Sequence, residues 1–374
     1  MKILIDGRGI KKTGIGRYIE NTLKEVLKID RSNQYELLLR DEDLEKLDLK
    51  ADNLSFVKTT ANFFGVKEQT EILSIIKERK PDLVHFTNFN FPVAYGGKFV
   101  ITIHDLTLLH FRNLRNSIAR KAYYMLKEQV MRNVVLKQGM KKADVVIVPS
   151  EYVKEDVANT FKVRRNKIAV TYEAADTEFS RGRINLEKKG INKPYILYVG
   201  NAYPHKNLER MIIAFGKLIT EYLLDYQLVI AGKKDSFHKN LEEAVAEAGL
   251  QDRVIFTGFV TDQELAGLYK NSKLYVFPSL SEGFGLPPLE AMAHDLPVAS
   301  SNATCMPEIL GDAAVYFDPK RVDDMAKAML MILTDQKLSE ALIKKGRAQV
   351  KKYSWKKTAL ATLDIYNNVL NKKG

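Results

Sequence analysis

The chain has 374 residues, long enough for two domains with full cores, and its 45% hydrophobic and 28% charged residues are the mix of a globular protein in water. Its one cysteine, Cys305, excludes an internal disulfide and any cysteine-based metal cage, and fits a reducing compartment. No apolar run approaches the roughly 18 residues of a membrane span, and the first seven residues are too few for a signal peptide, so a cytoplasmic location is expected. The net charge of +12 lies mostly in residues 1–175.

The first strand is expected at Lys2–Asp6, followed by a glycine-rich loop, Asp6-Gly7-Arg8-Gly9-Ile10-Lys11-Lys12-Thr13-Gly14-Ile15-Gly16, and a helix starting near Arg17. A dinucleotide fingerprint fails here, because the third glycine position after Gly14 and Gly16 is Ile19. A glycine loop at a helix start still offers backbone donors to a diphosphate or a sugar. A strand at Tyr35–Leu39 leads into Asp41-Glu42-Asp43, which superficially matches an Asp-x-Asp metal motif. A solvated helix start, with acids favoured by the helix dipole, is the better account, so no metal is expected. Strands follow at Leu54–Lys58, Leu83–Phe86 and Phe99–Ile103, the last ending in His104-Asp105. A histidine at a strand's carboxyl end can exchange hydrogen bonds with a sugar near neutral pH, or can be held structurally by its neighbour Asp105.

Between Arg112 and Lys142 nine basic residues face the single acid Glu128, and Ile118, Tyr123, Leu126, Val130 and Val134 recur at helical spacing. Such a segment can rest on an anionic membrane surface or simply cover the sheet. Nucleic acid is not expected, since no recognised binding motif accompanies the charge. Strands at Val145–Val148 and Ile168–Thr171 close the first half, and the polar stretch 176–193, with Gly182 and Gly190 and followed by Pro194, reads as a linker.

The second half restarts with a strand at Tyr195–Gly200 and continues at Gln227–Ala231, Arg253–Gly258, Lys273–Phe277, Pro297–Ser300 and Ala314–Phe317. Strands alternating with helices predict an α/β chain of two Rossmann-like domains, 1–175 and 194–354, each a parallel sheet. Pro204-His205-Lys206-Asn207 follows the first of these strands, where a lysine can balance charge on a departing diphosphate. The most informative stretch is Pro278-Ser279-Leu280-Ser281-Glu282-Gly283-Phe284-Gly285-Leu286-Pro287-Pro288-Leu289-Glu290. Its two glycines permit a sharp turn and close backbone approach, and its prolines suit a first helical turn with free N–H donors. Donors for a phosphate beside acceptors for hydroxyls suggest a nucleotide-sugar site. Paired acids also occur in glycoside hydrolases, although a glycine loop between them serves a phosphate better. A final helix is expected from Trp355 to Leu370.

With these residues in view, the chain resembles the large retaining glycosyltransferase family 4, of GT-B fold. The motifs that carry the resemblance run nearly end to end: Thr13-Gly14-Ile15-Gly16-Arg17-Tyr18, His104-Asp105-Leu106-Thr107, Ala143 to Ser150, Tyr198-Val199-Gly200-Asn201, Pro204-His205-Lys206-Asn207, Gly258-Phe259-Val260, and Glu282 with Glu290 in the family's E-x7-E signature. Asp312-Ala313-Ala314 and Phe317-Asp318-Pro319 extend them. The resemblance implies two domains facing across a cleft, with a C-terminal helix, 355–374, crossing back to complete the first.

It also implies roles. Glu282 would bind hydroxyls of the donor sugar and Glu290 the ribose, while the backbone of Gly283, Phe284, Gly285 and Leu286 would meet sugar and diphosphate, aided by Lys206. Gly14 and Gly16 would face the diphosphate, His104 would lie near sugar and acceptor, and the backbone near Phe259 and Val260 would touch the base. Asn201 stands where many members have arginine, and His205 where arginine is frequent, a pattern similar to bacterial polysaccharide mannosyltransferases. The implied activity is metal-independent, retaining transfer of a hexose, mannose from GDP-mannose, onto a lipid-linked saccharide, at the inner face of the membrane. A UDP-sugar donor, a sugar phosphorylase, a nucleotide-sugar epimerase and a non-catalytic saccharide-binding protein are the alternatives.

Overall fold

The computed structural model describes residues 1–10, 13–44, 47, 49–63, 65–111, 135–176, 182–233 and 237–372. Residues 112–134 of the basic stretch Arg112–Lys142 lie outside the described residues. The chain forms two compact units, Met1–Glu173 together with the segment from Ser354 onward, and Ala174–Tyr353.

Unit 1 holds a seven-stranded sheet of β1 (Lys2–Asp6), β2 (Gln34–Arg40), β3 (Leu54–Thr59), β4 (Leu83–Phe86), β5 (Phe99–Thr102), β6 (Val145–Val148) and β7 (Ile168–Val170), in the order β3-β2-β1-β4-β5-β6-β7. Every pairing is parallel. Parallel strands carry helices on both faces, which is why β4, β5 and most of β6 are buried along their length and read as continuous apolar runs. One core packs around Phe86, Phe91, Phe99 and Ile101. The other gathers Ile3, Leu23, Leu37 and Val100 with Ala359, Leu363, Tyr366 and Val369 of the helix Trp355–Asn371. That helix packs on the helix Thr13–Ile29, and its Tyr366 hydroxyl meets His85 Nδ1 at 2.6 Å.

The helix Thr13–Ile29 opens earlier than the sequence suggested, so Gly14 and Gly16 stand in its first turn rather than in a loop before it. A Cβ on Gly16 would fall 2.2 Å from the Ile10 carbonyl oxygen, so the glycine lets the helix close against the preceding turn. Asp41–Leu44 is a short helix whose Asp41 and Glu42 are exposed, as expected, while Asp43 is not. Asp43 is buried and bound by Arg40 at 2.9–3.0 Å, and Asp41 pairs with Lys58.

Unit 2 repeats the plan with β8 (Tyr195–Val199), β9 (Gln227–Ala231), β10 (Val254–Gly258), β11 (Leu274–Phe277), β12 (Val298–Ser301) and β13 (Ala314–Phe317), all parallel, in the order β10-β9-β8-β11-β12-β13. The stretch expected as a linker, 176–193, is tied into this unit where it is described. Ile191 is buried, Gln227 Nε2 donates to the Gly190 carbonyl at 3.1 Å, and Gln227 Oε1 accepts from Asn192 N at 2.9 Å. Both strand orders are that of the doubly wound dinucleotide-binding fold. Its order reverses beside the first strand, and the loops after the two strands flanking that point diverge to leave a crevice.

Candidate functional site

In unit 2 the reversal lies between β8 and β11, which pair directly. The loops that leave their carboxyl ends carry Lys206 and Glu282, 76 residues apart in sequence. Lys206 Nζ donates to Glu282 Oε1 at 2.6 Å, a charge-assisted bond between side chains only 17% and 14% exposed. The lysine sits at the end of a single 3-10 turn, Pro204–Lys206, and its ammonium also stands 5.9 Å from the Phe277 ring centroid. The next residue, Asn207, turns the chain at φ 62 and is buried. Its Nδ2 donates to the carbonyls of Pro278 at 3.0 Å and Pro319 at 2.7 Å, while Oδ1 accepts from Arg210 at 2.9 Å. Leu280 N donates to the His205 carbonyl at 2.7 Å. The two loops are thus stitched together on either side of the ion pair.

Glu282 is followed by buried Gly283, Phe284 and Gly285, then by the helix Leu286–Ala293 with Pro287 and Pro288 in its first turn. Gly285 has φ 91, a backbone conformation that calls for glycine, and it packs against the Met306 side chain, whose Cε would lie 2.5 Å from a Cβ there. The Phe284 ring packs edge-on against Tyr353 at 5.5 Å, which leaves this stretch its backbone to offer a ligand. Glu290, one helical turn on, is buried and accepts from the Tyr269 hydroxyl at 3.1 Å. Tyr269 is in turn stacked on His294 at 5.1 Å, whose Nδ1 donates to the Glu290 carbonyl at 2.8 Å. Tyr269 lies on an ordinary amphipathic helix, Asp262–Asn271, and nothing in its local sequence marks it as a partner of Glu290.

The other predicted residues of this unit line the carboxyl edge. Asn201 follows β8, with its Oδ1 3.5 Å from Tyr203 N, and His205 lies 5.9 Å, ring to ring, from the exposed Tyr203. Phe259, after β10, is 67% exposed with Lys233 Nζ 5.6 Å from its centroid, and Val260 beside it is half-buried. The backbones are close there. A Cβ on Gly232 would fall 1.9 Å from the Gly200 carbonyl oxygen, and Gly232 N donates to Gly258 O at 3.1 Å. Gly232 carries as tight a constraint as any glycine singled out from the sequence, but it sits in no recognisable motif.

In unit 1, His104 follows β5 and is not held by Asp105, whose carboxylate accepts from Thr107 N at 2.7 Å instead. His104 Nε2 lies 3.0 Å from the Thr87 carbonyl and Nδ1 3.3 Å from Glu173 Oε1, with the Tyr18 ring edge-on at 4.9 Å. Both ring nitrogens thus face oxygen atoms. Sequence reasoning missed Glu173, since its approach to His104 spans 69 residues. Gly14 has open space where a side chain would go, whereas Gly16 is enclosed by the preceding turn. At the end of β1, Arg8 is fully buried between Asp6, at 2.6 Å, and Glu68, at 3.2 Å. Among the described residues no group of three or more His, Cys, Asp or Glu is arranged to hold a metal ion.

Two family models divide the chain between them. The one described as Glycosyltransferase Family 4 matches residues 14–179, and the one described as Glycosyl transferases group 1 matches residues 183–349. O-antigen chain mannosyltransferase B of Escherichia coli is 26% identical over 388 residues, covering 98% of this chain and 99% of that protein. The serotype-specific mannosyltransferase WbdA of Escherichia coli is 34% identical over 238 residues, but that match covers 61% of this chain and 29% of WbdA, so the chain matches less than a third of WbdA's length. Among solved structures, Anabaena HepE in complex with UDP and glucose superposes with a TM-score of 0.78 at 16% identity, covering 98% of this chain and 100% of that one, a likeness of fold. Two Rossmann-like units, matched in turn by the two domain models of one enzyme class, settle the assignment: the chain belongs to the family-4-type glycosyltransferases of GT-B fold and resembles bacterial mannosyltransferases.

Proposed function

We propose that this glycosyltransferase transfers mannose from GDP-mannose, with retention and without a metal, to a lipid-linked saccharide in the synthesis of a cell-surface polysaccharide. The observation that carries the reading is the Lys206–Glu282 pair at 2.6 Å, set at the strand-order reversal beside a glycine turn and a helix N-terminus. A cation suited to a diphosphate and a carboxylate suited to sugar hydroxyls, one hydrogen bond apart, support that reading. Glu282 accepts from donor-sugar hydroxyls, Glu290 from the ribose, and Lys206 with the backbone of Gly283–Leu286 binds the diphosphate. Asn201 and His205 flank that lysine, and the backbone at Phe259 and Val260 meets the base. Within unit 1, Gly14 and Gly16 are assigned to contact with a diphosphate and His104 to contact with a sugar or acceptor. The mannosyltransferases named above support the choice of sugar, and the O-antigen relative that of acceptor.

In this mechanism the acceptor hydroxyl oxygen bonds to the anomeric carbon on the face that the diphosphate leaves. The anomeric bond to the diphosphate oxygen breaks with its electron pair going to the phosphate, and the departing phosphate takes the hydroxyl proton. Lys206 stabilises the charge that develops there. The protein works on the cytoplasmic side of a membrane, with the basic stretch Arg112–Lys142 towards anionic lipid. A UDP-sugar donor is the second reading, favoured by HepE having been solved with UDP-glucose.

A panel of GDP- and UDP-sugars, assayed for transfer and hydrolysis with the wild type and Glu282→Ala, tests the proposal. Turnover of GDP-mannose and a loss of at least about a hundredfold in the variant, with an unchanged melting temperature, are the expected results. Turnover of a UDP-sugar alone selects the second reading. Phosphate-dependent release of sugar phosphate would indicate a phosphorylase, interconversion of free donor an epimerase, and binding without turnover a non-catalytic protein. Wild-type activity in Glu282→Ala sinks the site.

A further inference from the structure

The Glu282 side chain meets Lys206, and its backbone is held by a different loop. Glu282 N donates to Thr304 Oγ1 at 3.2 Å, and the Cys305 thiol donates to the Glu282 carbonyl at 3.3 Å. Two consecutive residues between β12 and the helix Met306–Leu310 therefore engage both the donor and the acceptor of one residue on another loop. The next residue, Met306, is the side chain against which Gly285 is packed, so the same short segment backs the whole turn from Glu282 to Gly285. Its near end is tied down as well, with Ala303 N donating to Ser301 Oγ at 3.0 Å. Cys305 is buried, and burial pushes its thiol pKa well up, so the sulfur keeps the proton it donates.

Thr304 adopts φ 55. A β-branched side chain in the left-handed region is a true outlier, because the branch crowds the backbone there, and glycine would take the same turn without strain. Strain of this kind persists where the surroundings over-determine it, and it gathers at functional sites. What threonine supplies and glycine lacks is the hydroxyl, and the hydroxyl is on Glu282 N.

We propose that Thr304 is a positioning residue for Glu282, holding a strained turn so that its hydroxyl fixes the backbone from which the sugar-binding carboxylate projects. The inference rests on the reading of Glu282 as a donor-sugar ligand. A small rotation of that backbone would carry the carboxylate away from both Lys206 and the sugar, and transfer chemistry is sensitive to displacements of about an ångström.

Three variants test it: Thr304→Gly, which keeps the turn and removes the hydroxyl; Thr304→Ser, which keeps the hydroxyl; and Glu282→Gln. Each is assayed for kcat and KM, for melting temperature, and for affinity towards GDP-mannose, or the UDP-sugar that turns over, and towards the matching free nucleoside diphosphate. Thr304→Gly is expected to melt at or above the wild-type temperature, to lose about tenfold in kcat, and to bind the nucleotide sugar about fivefold more weakly with the diphosphate unchanged. Thr304→Ser should retain most of the activity, and Glu282→Gln should show the same loss of sugar-specific affinity. Equal weakening of both ligands, no effect in Thr304→Gly, or a Thr304→Ser variant as impaired as Thr304→Gly overturns the proposal. If Thr304→Gly is silent while Glu282→Gln loses the sugar, only this inference falls. If Glu282→Gln binds the sugar like the wild type, the reading of Glu282 falls and takes this one with it.

Discussion

His85 lies on β4 at 2% exposure with both ring nitrogens engaged, Nδ1 with the Tyr366 hydroxyl at 2.6 Å and Nε2 with Thr102 Oγ1 at 2.8 Å. Burial, with the charge of nearby His104 adding to it, pushes its pKa down from 6.5 to about 3, so the folded protein keeps it neutral. Between those values the unfolded chain binds a proton that the folded chain does not, and stability therefore falls as pH drops through that window. The slope is up to about 1.4 kcal/mol per pH unit. Urea unfolding at pH 6.5, 5.5 and 4.5 should show that decline, and His85→Gln should flatten it by about that amount. An identical slope in both proteins would remove His85 as its source. The His85 and Glu282 sites differ in what their sequence reveals. Glu282 is legible because it repeats a signature of fixed spacing, whereas the partners of His85 come from β5 and from residue 366, which no local pattern connects.

At the scale of elements, Asn207 in the loop after β8 donates to the carbonyls of Pro278 after β11 and Pro319 after β13, and so ties three loops at the carboxyl edge together. Asn207→Ala leaves the carbonyls of Pro278 and Pro319 without that donor inside the protein, and should cost about 1–3 kcal/mol per unsatisfied group. Because Lys206 is the adjacent residue, the same substitution should also raise KM for the donor by loosening the lysine. Chemical denaturation together with donor kinetics checks both effects, and a variant of unchanged stability and unchanged KM would contradict the stitching role. Helix starts were the less legible elements. The helix Thr13–Ile29 begins at Thr13 because Gly16 allows contact with the Ile10 carbonyl, a tertiary tolerance that periodicity does not report. Of the acids Asp41–Asp43, the first two are exposed as expected, and only Asp43 is buried, where Arg40 binds it.

For the whole molecule, the excess of positive charge in the first half is the property with a consequence for location. No described helix is long and apolar enough to cross a membrane. The proposed attachment to an anionic surface rests on the charge of Arg112–Lys142 alone, and part of the described end of that stretch is already committed, since Lys142 Nζ donates to the Val93 carbonyl at 2.6 Å. The protein is expected to float with vesicles containing anionic lipid at low ionic strength and to be released as salt rises. Failure to bind such vesicles at low salt rejects the attachment.

The sequence by itself determined the class of fold and its strands. Runs such as Tyr195–Val199 and Leu274–Phe277 are apolar throughout because parallel strands are covered on both faces, and turn residues separate them from amphipathic helices. It also determined which short segments carry glycines, acids and a lysine suited to a nucleotide sugar, since those depend on local spacing. Tertiary structure alone decided that Lys206 and Glu282 share a bond, that Tyr269 stands on Glu290, that Glu173 rather than Asp105 faces His104, and that Thr304 backs Glu282 from a strained turn. Each of these pairings joins different loops or helices, and Lys206 meets Glu282 because β8 and β11 lie side by side in the sheet. That adjacency follows from strand order and not from any spacing along the chain.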